Sequence, residues 1–153
     1  MRALELRVPP LAVVAVTAAA MFGLARLVPA AGLELPGRGS AALILLVLGL
    51  ATAVAGVLAF RANATTVDPR TPGQASTVVV SGVYRFSRNP MYLGFLCVLA
   101  AWAVHLGNLM SLMLLPAFVA YINVFQIVPE ERILLARFGP RFAQYMATVR
   151  RWI

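Results

Sequence analysis

The sequence predicts an all-α polytopic membrane protein with four transmembrane helices and a C-terminal amphipathic helix. Three observations carry that expectation. The 153-residue chain is 61% hydrophobic and 12% charged, against about 25% charged residues in a typical soluble domain. Four apolar runs succeed one another at 11–28, 41–60, 91–106 and 109–128. The charges are sorted between the two sides that these runs would define. No stretch is left over for a separate soluble domain of ~50 residues or more.

The first run comes after Arg2 and Arg7. A basic start before an apolar core is shared with signal peptides, but this run is long for a signal core and Val28-Pro29-Ala30-Ala31 is a poor cleavage site. It is expected to be a retained first span, with Arg26 near its far end reaching back to the headgroups. A short loop rich in turn formers, 32–39, leads to Ser40, the expected cap of the second span. That run fits a bilayer core ~30 Å thick at about 1.5 Å per residue. Gly49 and Gly56, with Ala42, Ala53 and Ala55, offer small surfaces for close helix contact, and Arg61 ends the run.

Residues 61–89 form the one long polar segment, with Asp68, Pro69, Pro72, Gly73 and a β-branched patch at 77–80. A connector of this length is more often functional than idle, and it is expected to lie along the membrane surface. It delivers the corner at 81–94, where two arginines, two tyrosines and an Asn-Pro pair approach an apolar helix. Asn89 suits the N-cap and Pro90 the first helical position, so the helix start aims free N–H groups and partial positive charge at whatever lies beside Arg85 and Arg88. The third run is short for a span, about 24 Å. Gly107-Asn108 turns the chain tightly into the fourth, which Pro116 is expected to kink. The short third helix places the corner in a recess, where polar groups line a cavity or meet a ligand.

Val128-Pro129-Glu130-Glu131-Arg132 closes this helical hairpin. From there to Met146 an amphipathic helix is expected, interrupted at Gly139-Pro140, with Ile133, Leu134, Phe138, Phe142 and Tyr145 apolar and Arg132, Arg137 and Arg141 alongside. The tail at 149–153 is basic, with Trp152 at the interface. Four spans put both termini and the connector on one side. That side holds eleven arginines (2, 7, 61, 70, 85, 88, 132, 137, 141, 150 and 151) against Arg26 and Arg38 on the other. By the positive-inside rule the corner and both termini are cytoplasmic. All thirteen basic residues are arginine, which with the heavy Ala, Leu and Val usage suggests a GC-rich bacterial gene and therefore the inner membrane.

An antiparallel hairpin brings its ends together, so the cluster 84–92 meets Glu130, Glu131 and Arg132 at one surface. Arginines and helix N–H groups suit an anionic group; paired glutamates suit hydroxyls or a cation. The blander alternative is that the glutamates complement a helix dipole after Pro129 and the arginines grip lipid phosphates. Other chemistries find little support. His105 has no second ligand-type residue nearby in sequence, so no metal is expected. There is no Gly-rich phosphate loop and no GxSxG elbow, and one cysteine, Cys97, allows no internal disulfide. Topology already explains the positive charge, so nucleic acid is not an expected partner. No ionisable group sits in mid-span as in pumps and channels.

Ser81-Gly-Val-Tyr-Arg-Phe-Ser-Arg-Asn-Pro-Met-Tyr-Leu-Gly94, then an apolar hairpin, then Glu130-Glu-Arg-x-Leu-x-x-x-Phe-Gly-x-x-Phe-x-x-Tyr145, resembles the integral-membrane methyltransferases that include the isoprenylcysteine carboxyl methyltransferases and the phospholipid N-methyltransferases. The resemblance covers residues 65–153 and implies a division into an N-terminal two-helix hairpin, 1–61, and a cofactor-binding methyltransferase core, 62–153. It implies S-adenosylmethionine as cofactor, leaving as S-adenosylhomocysteine, held at the cytosolic surface. A lipophilic acceptor would enter from the surrounding membrane lipids. Carried over by position, Arg88, Asn89, Pro90, Tyr92, Leu93, Glu130 and Glu131 would touch the cofactor, with Tyr84 beside them and Tyr145 as the second aromatic of the C-terminal motif. Arg88, Glu130 and Glu131 are the candidate catalytic residues.

The chain departs from the pattern at three places. Phe142 stands where tyrosine is common, and Asn89 replaces a histidine often seen before the proline. Asn123, Phe125 and Gln126 occupy turns where the eukaryotic prenylcysteine enzymes carry arginines. Methyl transfer from a sulfonium needs alignment and exclusion of water more than acid–base help. A carboxylate acceptor needs no base, whereas an ammonium must first lose a proton, to Glu130 or Glu131. Arg88 is the candidate for orienting an acceptor carboxylate or phosphate. Two readings stand beside a carboxyl transfer: an amine-lipid N-methyltransferase, and a non-catalytic protein that binds anionic headgroups. Acceptor identity and oligomeric state are left open.

Overall fold

The computed structural model describes residues 5–34, 36–63, 72 and 75–153. The readings that fall on Arg2, Thr65, Asp68, Pro69, Arg70 and Gly73 lie outside the described residues. Those described fold as helices joined by turns, in the order α1 (Pro10–Leu27), α2 (Arg38–Ala62), α3 (Pro90–Leu106), α4 (Leu109–Leu112), α5 (Leu114–Ile122), a π-helical segment (Asn123–Ile127), α6 (Val128–Phe138) and α7 (Pro140–Thr148). Among the described residues, three helices are long and apolar enough to cross a membrane: Pro10–Leu27, Arg38–Ala62 and the composite Leu109–Phe138. The expected third span, α3, is apolar but has 17 residues.

Residue chemistry sets the boundaries, and it corrects two expectations. α2 does not start at Ser40. Gly37 takes a left-handed backbone, φ 71, and turns the chain into a helix that begins at Arg38. The Leu109–Phe138 rod does not end at Val128 but continues to Phe138, where Gly139 (φ 51) turns it. The interruption expected at Gly139-Pro140 is present, and it divides the stretch into α6, continuous with the rod, and α7 beyond it. Where a kink at Pro116 is expected, the helix is interrupted at Met113. The Pro116 ring excludes the carbonyl four residues back, Leu112, and α4 stops at Leu112. Pro129 repeats the problem at Phe125, and there the helix widens to π geometry rather than stopping.

α2 and α3 lie in backbone contact. A Cβ added to Gly94 would fall 2.6 Å from the Gly49 carbonyl oxygen, and one on Gly49 2.8 Å from that of Gly94. Two glycines facing each other permit this approach, and any side chain there would push the helices apart. α1 packs on α3, α4 and α5, and the central core joins Met21, Tyr92, Leu99, Ala103, Phe118, Ile122 and Ile127. At the far end Asn108 and Ser111 tie the turns together. Asn108 donates to the Val28 carbonyl at 2.9 Å, Ser111 to that of Met21 at 2.8 Å, and Leu33 N–H to that of Gly107 at 2.6 Å.

Candidate active site

The opposite end of the bundle is built around the corner at 81–94. Gly82, at φ 60, opens a 3₁₀ turn over Gly82–Arg85 that drives Tyr84 inward until it is 4% exposed. The Tyr84 ring packs on Phe60 of α2, centroids 5.2 Å apart, and the Tyr145 hydroxyl donates to the Tyr84 carbonyl at 2.8 Å. Burial raises the pKa of both phenols well above the usual range, so both remain neutral hydroxyls.

Arg88 is the hub. Its Nη1 donates to the carbonyls of Met146 and Val149, at 2.8 and 2.7 Å, satisfying groups that the end of α7 leaves open. Its Nη2 pairs with Glu131 Oε1 at 2.8 Å, both side chains being 11% exposed. Arg88 Nε is buried and has no partner among the described residues. Glu131 takes a second arginine from the tail: Arg151 Nη2 lies 2.6 Å from its Oε2 and Nε 3.2 Å from its Oε1. The tail then runs along the corner. Arg88 N–H donates to the Arg150 carbonyl at 3.0 Å, Asn89 Nδ2 to the Arg151 carbonyl at 2.9 Å, and Trp152 Nε1 to Asn123 Oδ1 at 3.2 Å.

Asn89 does occupy the N-cap position with Pro90 at the start of α3, but its side chain makes no cap hydrogen bond. The amide has been drawn away to the tail. Glu130 differs from its neighbour: among the described residues its partner is the Tyr92 hydroxyl, which donates to Oε1, and no arginine pairs with it. The reading of both glutamates as complements to a helix start fails here, because α6 continues from the π segment without a break and has no free start at Pro129.

These groups face one cavity. Its polar side is Tyr84, Arg88, Asn89, Tyr92, Glu130, Glu131 and Tyr145; its apolar side includes Phe60, Val78, Val79, Met91, Leu134 and Phe142. Seven of the nine residues singled out from sequence therefore line it. Pro90 is buried in the first turn of α3 and Leu93 is half-buried, and neither reaches the lining. Sequence reasoning missed Arg151, whose Arg-Arg context reads as an interfacial tail. It also missed the wall supplied by Phe60 and by Val78 and Val79; the β-branched patch was the available signal for the last two. His105 sits elsewhere, exposed and stacked on Trp102 with centroids 5.6 Å apart.

A cavity that joins a helix start without a side-chain cap, a glutamate whose partner among the described residues is a tyrosine hydroxyl, and apolar walls suits a zwitterionic, partly apolar ligand. A family model for phospholipid methyltransferases matches residues 38–141. The chain belongs to that family. The phospholipid methyltransferase family is one of membrane methyltransferases that act on lipid-like substrates and generally depend on S-adenosylmethionine. The match begins at the start of α2, well before residue 65, where the sequence resemblance was first legible, so it takes in the helix that carries Phe60 and Gly49. An uncharacterized protein of Haemophilus influenzae is 41% identical over 63 residues, which make up 41% of this chain and all of that one. No solved structure matches.

Proposed function

We propose that this phospholipid methyltransferase family member binds S-adenosylmethionine in the cavity at the start of α3 and transfers its methyl group to an amine of a lipophilic acceptor. The observation that carries the reading is the division of labour between the two glutamates. Glu131 is taken up by Arg88 and Arg151, whereas Glu130 meets the cavity with a tyrosine hydroxyl as its partner.

The residues present fit the cofactor. Open N–H groups at the start of α3, in the turn of Met91 and Tyr92, and the dipole behind them suit a carboxylate. Glu130 suits a positive centre, and Phe60, Val78 and Phe142 offer apolar surface to a ring. When bound, S-adenosylmethionine supplies an electrophilic methyl group on a sulfonium that leaves as a neutral thioether. The protein aligns the acceptor, keeps water out and removes one proton. An ammonium acceptor gives that proton to Glu130, which Tyr92 holds in place. Arg88 and Glu131 fix the wall and the tail. Both Nη groups of Arg88 are held by protein acceptors and only the buried Nε lacks a partner among the described residues, so an acceptor carboxylate finds no fully free pair of guanidinium donors there. This favours an amine over a carboxyl acceptor and departs from the orienting role expected for Arg88.

In this reading α3 crosses with the three longer helices, giving four spans, and the distribution of eleven arginines against two puts the cavity and both termini at the cytoplasmic face of a bacterial inner membrane. Calorimetry with S-adenosylhomocysteine on the purified protein is the test. Saturable binding is expected, weakened by Glu130→Ala by about tenfold or more, as for loss of a charged hydrogen-bonding partner. No binding in detergent and in lipid alike overturns the reading.

A further inference from the structure

The cavity's glutamates are held from a distant part of the chain. We propose that residues 5–8, a strap ahead of α1, position Glu130 and Glu131 by completing the backbone of the π-helical segment that precedes them. The proposal rests on the reading of the cavity as the cofactor site, and it concerns a stretch outside the region 38–141 that the family model matches.

Pro129 has no N–H, so the Phe125 carbonyl four residues earlier loses the donor that α register would give it. The Leu6 N–H takes that place, donating to the Phe125 oxygen at 3.0 Å. Next to it Gln126, fully buried, donates Nε2 to the Val8 carbonyl at 2.7 Å, while its Oε1 has no partner among the described residues. An exposed ion pair from Arg132 to Glu5 at 3.3 Å adds little. The strap holds Leu6 at φ 58, a left-handed backbone that leucine rarely adopts. A strained residue whose amide fills a specific vacancy is held there by its contacts.

The consequence for the site is geometric. A π segment closes its hydrogen bonds over one more residue than an α-helix, and each residue so inserted rotates the rest of the helix by about 100°. The register of 123–127 therefore decides which way Glu130 and Glu131 face. The strap supplies hydrogen bonds to two consecutive residues of that register, Phe125 and Gln126.

Three variants of the full chain test this, read by S-adenosylhomocysteine affinity, thermal unfolding in detergent and amide exchange across 123–131. Leu6→Pro removes the donor N–H and, because proline cannot take the left-handed backbone of Leu6, displaces the strap as well, so its affinity is expected to fall about tenfold or more. Leu6→Gly keeps the donor and suits the left-handed backbone, and it should bind within about twofold of the parent. Gln126→Leu loses the bond to Val8 but also removes an unpartnered oxygen. Its unfolding temperature should hold or rise while its affinity falls and exchange quickens within 123–131. A merely structural role would lower both together. Unchanged affinity in Leu6→Pro and Gln126→Leu, an equal loss in Leu6→Gly, or faster exchange spread through the whole bundle overturns the proposal. If Leu6→Pro does not fold, Gln126→Leu decides. If the parent itself binds no S-adenosylhomocysteine, the cofactor reading falls, and the exchange pattern alone decides the strap.

Discussion

Asn89 and Asn108 stand at the N-cap of helices at opposite ends of the bundle, with nearly the same φ, −130 and −132. Asn108 is 2% exposed and uses both ends of its side-chain amide. Its Oδ1 accepts from the N–H of Met110 and Ser111, and its Nδ2 donates across the bundle to Val28. Asn89 caps nothing and gives its amide to the returning tail. The far end is thus closed on itself, whereas at the near end, among the described residues, the start of α3 has no side-chain cap and Glu130 meets the cavity with Tyr92 as its partner. The same residue type stabilises one end and leaves room at the other. The difference lies in what else reaches the corner, which is the tail at 149–153.

The largest expected effect comes from removing the group that anchors that tail. Glu131→Ala strands Arg88, 11% exposed, and frees Arg151. Breaking a buried ion pair on one side costs about 3–5 kcal/mol. Thermal or denaturant unfolding should show a loss of that order, and S-adenosylhomocysteine binding should disappear with it. A loss below about 1 kcal/mol, the range of surface pairs, would show that the near end is not held together through Glu131.

Asn108→Ala should separate the two ends cleanly. It removes a cap and a cross-bundle bond at once, and a lost cap alone is worth about 0.5–2 kcal/mol. Stability should fall by at least that much, while affinity for S-adenosylhomocysteine stays within about twofold, since distant sites with no shared partners act independently. An equal loss of affinity would mean that the ends are coupled through α3, and the contrast between them would fail.

Most of the helices were legible in the sequence because local rules set them. The apolar runs, the turn at Gly107-Asn108 and the break before Pro116 are all dictated by neighbours within one turn. So was the meeting of 84–92 with Glu130 and Glu131, since a short hairpin has no other way to fold. What escaped depends on remote partners. Pro129 reads as a helix boundary until the Leu6 N–H takes up the carbonyl it abandons. Asn89 reads as a cap until the Arg151 carbonyl competes for its amide. Arg151 reads as an interfacial cation until Glu131 is seen between it and Arg88. Ser40 failed for a local reason: Gly37, three residues earlier, could take the left-handed turn first.

Asn89→Asp offers the smallest and sharpest test of the comparison, because its two readouts should respond unequally. An aspartate keeps the size of the side chain, loses the donor to the Arg151 carbonyl and gains a charge that helix starts attract. Turned toward α3, it would accept from the open N–H groups there and do for the near end what Asn108 does for the far one. A charge at a helix start contributes about 0.3–1 kcal/mol, and a bond lost to the tail removes about as much, so net stability should change by less than about 1 kcal/mol. Affinity should respond more strongly. If the helix start is the seat of the ligand's carboxylate, a fixed carboxylate at the same place both fills the N–H groups and repels the ligand. S-adenosylhomocysteine should then bind at least about tenfold more weakly, the cost of one charged hydrogen bond, and adenosine, which has no carboxylate, should be affected far less. If both ligands weaken equally, the near end is open for some other reason than to receive an anion, and the contrast between Asn89 and Asn108 reduces to a difference in how each is tied to its neighbours.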